Sequence, residues 1–137
     1  MVPIRILVVG AAIPLLRQIH DLLDREGFLV TVASPGPAPS RLLSRHLPDL
    51  LVLDAEPRLG RWNSWRRAIR ACRSRRPLSV LLVTETDLDS AARQPLLETA
   101  DLGILPRPID PEQLVARVVA WYHRQIPIPR VAAEGKG

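Results

Sequence analysis

A single cysteine, Cys72, leaves this chain without the means for an internal disulfide, so a stapled extracellular scaffold is excluded and a cytosolic setting is expected. A single lysine, Lys136, means that arginine supplies nearly all of the basic side of a +5 net charge. No apolar run approaches the roughly 18 residues that a membrane helix needs. The first residues, Met1 to Leu7, run straight into a strand-like segment, without the basic region or small-residue cleavage site of a signal peptide. What is present is an ordinary apolar fraction of 47% in 137 residues, enough for one domain with a real core.

Hydrophobic periodicity divides the chain into alternating elements. Short apolar runs rich in β-branched and aliphatic residues mark strands at 4–9, 28–33, 50–54, 79–84 and 103–106. Between them, Leu15, Leu16, Ile19, Leu22 and Leu23 recur at helical spacing, and Gly27 follows as a helix-ending glycine. Ser40 is expected to cap a short helix over Leu42, Leu43 and Leu47, which Pro48 and Asp49 end. Trp62, Trp65, Ile69 and Cys72 form a third stripe. Residues 89–99 form a fourth helix, with Pro95 as a distortion. Asp110 and Pro111 start a last one, with an N-cap and a proline in the first turn. Periodicity fades after about residue 125, so 1–125 reads as the domain and 126–137 as a flexible tail.

Strands that are apolar throughout need cover on both faces. The expectation is therefore an α/β doubly wound, flavodoxin-like fold: a five-stranded parallel sheet with helices on both faces. In such sheets the functional crevice lies beyond the carboxyl ends of the strands. Gly10, Ala11, Asp54, Thr84 and Arg107 should converge there.

Three features in that order carry a resemblance. They are the strand Leu50 to Asp54 preceded by Pro48 and Asp49, a threonine thirty residues on at Thr84, and Leu105-Pro106-Arg107-Pro108 before a helix that opens at Asp110. Over residues 4–124 the chain resembles the receiver domains of bacterial response regulators. The resemblance implies that Asp54 is the phosphoacceptor position and that a histidine kinase donates the phosphoryl group. It also implies a divalent cation held by an acidic pair after the first strand, a lysine on the phosphoryl oxygens and a hydroxyl that reports on them.

The departures from that pattern are specific. Gly10 and Ala11 stand where the acidic pair belongs, and neither ligates a metal through a side chain; Ala12 does not replace them. Arg107 stands for the lysine, with the charge kept but the head larger and planar. Glu85 follows Thr84 where a small residue is usual, and Ile104 takes the place of the switch aromatic. Asp54 and Arg107 balance each other without a metal, and Mg²⁺ gives up water only for a well-formed oxygen cage. A standing Asp54–Arg107 ion pair is expected, with the Mg²⁺ site lost and no cofactor required. Glu56 and Glu85 are the two carboxylates that could rebuild a cation site from other positions; as loop carboxylates they are expected to face solvent.

The resemblance and its departures together imply the expectation of an atypical receiver acting in signal transduction through protein contacts, and not an enzyme. Its expected partners are a histidine kinase or an output protein, or a second copy in a homodimer. One alternative is a response regulator still phosphorylated on Asp54. Another is a nucleic-acid-binding accessory, since Arg58, Arg61, Arg66, Arg67, Arg70, Arg73, Arg75 and Arg76 crowd one loop and helix, with Trp62 and Trp65 among them. Trp121 and Tyr122 on the last helix, with Ile104 nearby, are candidates for an interface, because adjacent aromatics on a helix cannot both point inward. His20, His46 and His123 show no metal-ligand spacing and are assigned no role.

Overall fold

The structure, a computed structural model, describes residues 3–36, 38–54, 61–84 and 90–125. Five strands alternate with five helices in chain order: β1 (Arg5–Val9), α1 (Ile13–Arg25), β2 (Leu29–Ala33), α2 (Pro39–His46), β3 (Leu50–Asp54), α3 (Arg61–Arg73), β4 (Ser79–Thr84), α4 (Ser90–Thr99), β5 (Ile104–Pro106) and α5 (Pro111–Gln125). The sheet is parallel, with strand order β2-β1-β3-β4-β5. The chain thus has the doubly wound α/β architecture that the continuous apolar strands required. Gln125 is the last described residue, so the expected tail at 126–137 lies outside the described residues.

The two faces of the sheet carry separate cores, set by the alternation of side chains along each strand. Leu7, Val9, Leu51, Leu53, Val80 and Leu82 point to the side covered by α2, α3 and α4. Ile6, Val8, Leu50, Val52, Leu81 and Val83 point to the side covered by α1 and α5. The helices bury one stripe each: Leu16, Ile19 and Leu23 from α1, and Leu114, Val118 and Trp121 from α5. At about 25 cal/mol per Å² of apolar surface removed from water, each fully buried leucine or isoleucine contributes roughly 2 kcal/mol before chain entropy is counted.

Helix ends follow local chemistry, with one correction. Gly27 adopts φ +94 just past α1, a left-handed conformation that glycine takes without penalty. At α5, the Asp110 side chain accepts a hydrogen bond from the Glu112 amide at 3.0 Å, as an N-cap should. Ser40, however, does not cap α2. The helix starts two residues earlier with Pro39 in its first turn, the N-cap is Ala38, and no side-chain cap bond forms. Proline at the first helical position lacks the N–H that a cap would satisfy and is preset for helical φ, so it displaces the serine. At the other end of α2, Leu47 takes φ +47, its amide donating to the Leu43 carbonyl at 2.9 Å. A leucine there costs about 1 kcal/mol that a glycine would not.

Candidate functional site

Sheet register brings the predicted residues to one end. Val9 of β1 lies opposite Leu53 of β3, which sets Gly10 level with Asp54. Asp54 pairs with Val83 of β4, and Thr84, one residue further on, pairs with Pro106 of β5. The Arg107 amide then donates to the Thr84 carbonyl at 2.9 Å, which fixes the start of the β5–α5 connection against the end of β4. The Arg107–Pro108 peptide bond is cis.

The resulting contact is the one expected from charge balance. Arg107 Nε donates to Asp54 Oδ1 at 3.0 Å, and Arg107 Nη2 donates to the same oxygen. The carboxylate is 17% exposed and the guanidinium 35%. The pair therefore sits at the rim of the sheet, with the carboxylate on the inner side. Gly10 is buried beside it. A Cβ there would come within 3.2 Å of both Asp54 Cβ and Leu16 Cδ2, so this position has little room for a side chain. Ala11, the next residue, is exposed. The donor set described here thus holds one carboxylate, already engaged by a guanidinium, with no ligating side chain at 10 or 11. Among the described residues no group of three His, Cys, Asp or Glu comes together. Among the described residues this set supplies fewer side-chain oxygens than the several ligands that a divalent cation takes. Glu56 and Glu85 lie outside the described residues.

Thr84 is fully buried, and among the described residues its hydroxyl has no hydrogen-bond partner. Buried hydroxyls are usually paired, so this one has no structural employment within the described set. Ile104 is half-buried against the core on the α2–α3–α4 side.

The aromatic candidates resolve differently from one another. Trp121 is 4% exposed and its indole N–H donates to Ser79 Oγ at 2.9 Å. It closes the core, which takes it out of the candidate interface; the Ser79 hydroxyl gives the indole the polar partner that makes its burial affordable. Tyr122 is half-buried, edge-on to Phe28 with ring centroids 5.3 Å apart. On α3, Trp62 and Trp65 are 7% and 3% exposed. Neither indole offers a free face for stacking on a base, so the arginine-rich helix lacks the aromatic platform that single-stranded nucleic acid favours. Two arginines of this segment are also committed: Arg73, at the end of α3, to the Leu78 and Thr99 carbonyls and Asp101, and Arg76, just past the helix, to Asp49. Sequence reasoning missed this wiring because it joins residues distant along the chain. No described helix is long and apolar enough to cross a membrane.

No protein-family model and no curated protein sequence matches the chain. Solved structures do. A response regulator protein from Burkholderia multivorans matches with a TM-score of 0.70 at 26% identity, over 93% of this chain and 99% of that one. An orphan response regulator of H. pylori matches with a TM-score of 0.70 at 23% identity, over 85% and 94%. A response regulator receiver domain protein from Clostridium thermocellum matches with a TM-score of 0.64 at 22% identity, over 89% and 96%. With the five-stranded order and the Asp54 position already established, these likenesses identify the class: the chain has the fold of a response-regulator receiver domain.

Proposed function

We propose that this receiver-type domain serves signal transduction through protein contacts, with Asp54 held by Arg107 instead of being presented for Mg²⁺-dependent phosphorylation. One observation carries the reading: both the Nε and Nη2 of Arg107 address Asp54 Oδ1, at the position where a receiver would carry its phosphoryl group. Gly10 and Ala11 support it, since neither supplies a metal ligand and the space at Gly10 is already occupied by Asp54 and Leu16. Among the described residues, a cation would have to dislodge the guanidinium and then complete its shell from water and backbone, which Mg²⁺ tolerates poorly. The fold likeness to response regulators supports a protein partner, such as a kinase or an output protein, or a second copy of the chain.

A second reading has one observation in its favour. The buried Thr84 hydroxyl, without a partner among the described residues, is suited to a phosphoryl oxygen arriving at Asp54, with Arg107 swinging onto that group in the role of the lysine. One experiment separates the two. The chain is incubated with acetyl phosphate and Mg²⁺ and its intact mass is measured. The proposed function expects no added phosphoryl group; stoichiometric addition that disappears in Asp54→Asn establishes the second reading.

A further inference from the structure

A cleft of about 150 Å³ opens between α2 and α3, on the side of the molecule that the Asp54 site does not use. Its walls are apolar: Leu43 and Leu47 from α2 and its end, Ala68, Ala71 and Cys72 from α3. Among the described residues, Arg75 and Arg76 are the charged ones in its lining. We infer that this cleft is the docking site for an acidic segment of a partner protein, which inserts an aliphatic side chain between the helices and sets its carboxylates against Arg75 and the exposed arginines of α2 and α3.

Three observations point to that occupant. Neither α2 nor α3 contains a single aspartate or glutamate, while Arg41, Arg45, Arg67 and Arg70 are exposed on them. Apart from Asp49, which is paired with Arg76, the charge around the cleft is positive, and a complementary partner is anionic. The cleft is also small against the roughly 300–1,000 Å³ of small-molecule sites, which suits an anchoring side chain better than a free ligand. Finally, Leu47 stands where helix-end chemistry favours glycine, in the left-handed conformation, and it leaves 42% of its surface exposed. Conformation and exposure both count against leucine there; its side chain serves as one wall of the cleft.

The same features disfavour the other occupants. Nucleic acid offers phosphates for the arginines but nothing for an aliphatic cleft, and the neighbouring tryptophans are buried. A membrane surface calls for protruding apolar side chains, whereas these line a concavity. A second copy would have to offer an acid-rimmed surface. The groove between α1 and α5, with Glu26 and Glu112 in its lining, is acidic but is itself concave and cannot fill another groove.

The proposal rests on the reading of the domain as a protein-contact module and names the face it uses. Cys72, the only cysteine in the chain, lines the cleft and reports on its occupancy. Peptides are selected from a random display library on the full chain, and the rate of Cys72 alkylation by iodoacetamide is followed with each. The expected result is a set of acidic binders with an aliphatic anchor that protect Cys72. Their affinity falls about tenfold on Leu47→Gly, a change that leaves the melting temperature unchanged or higher, and falls with added salt and with Arg75→Glu. A library that yields no acidic binder, or binders indifferent to Leu47→Gly, overturns the proposal. So does Cys72 protection that is stronger with a single-stranded oligonucleotide, with phosphatidylglycerol vesicles, or with rising protein concentration alone. Phosphorylation of Asp54 would refute the proposed function while leaving peptide protection of Cys72 unaffected, so the two failures are distinguishable.

Discussion

Asp49 and Asp54 bracket the same central strand, five residues apart, and are wired in different ways. Asp49, at the amino end, accepts the Arg5 amide at 2.8 Å and meets Arg76 Nη2 at 3.4 Å, while its own carbonyl accepts the Ser79 amide. Asp101, at the same end of the sheet, accepts the Val80 amide at 2.7 Å and Arg73 Nη2 at 3.0 Å. Asp54, at the carboxyl end, is held by Arg107, and among the described residues no backbone amide donates to it. A carboxylate that satisfies a main-chain N–H is structural, because that donor has nowhere else to turn when the carboxylate is lost. One held by a side chain alone can be released without orphaning the backbone. Among the described residues, the amino end of the sheet is therefore fastened to the backbone, and the carboxyl end is held by a side chain.

The strongest test of this contrast is Asp101→Ala. It leaves the buried Val80 amide without its acceptor and is expected to lower stability by about 2 kcal/mol in urea melts. A loss within a few tenths of that seen for an ordinary surface substitution would erase the distinction. Next in size is Arg107→Ala, expected to cost about 1–2 kcal/mol, since it leaves a carboxylate only 17% exposed without its guanidinium. Gly10→Ala follows at about 1 kcal/mol, from a methyl placed 3.2 Å from Asp54 Cβ and Leu16 Cδ2. Smallest is Asp54→Ala, expected to stay under about 1 kcal/mol, because the guanidinium left behind is 35% exposed and water can solvate it. If Asp54→Ala proves as costly as Asp101→Ala, the two ends of the sheet do not differ in kind.

Much of this was legible before any coordinates. β3 and β4 have the bounds their unbroken apolar runs predicted, because a strand buried on both faces leaves no ambiguity of side. The meeting of Asp54 and Arg107 followed from topology, since a parallel sheet brings the carboxyl ends of its strands together. Three features were illegible for physical reasons. The burial of Trp62 together with Trp65 depends on how α3 rolls against the sheet, which arginines on either side do not reveal. The Ser79 partner that lets Trp121 sink lies 42 residues away. The cleft between α2 and α3 arises from what two helices fail to fill, and no local pattern encodes a gap.

The strand order gives the Asp54–Arg107 pair a temporal meaning. β4 lies between β3 and β5, so the ion pair spans an intervening strand and joins residues 53 apart in sequence. It can close only after three strands have docked in register. A contact of this range is expected to form on the native side of the folding barrier. Its removal in Arg107→Ala should leave the refolding rate nearly unchanged and raise the unfolding rate, by about fivefold for each 1 kcal/mol lost. The contact at the candidate site would then act as a brake on the domain's opening, setting how long the β5–α5 connection stays closed.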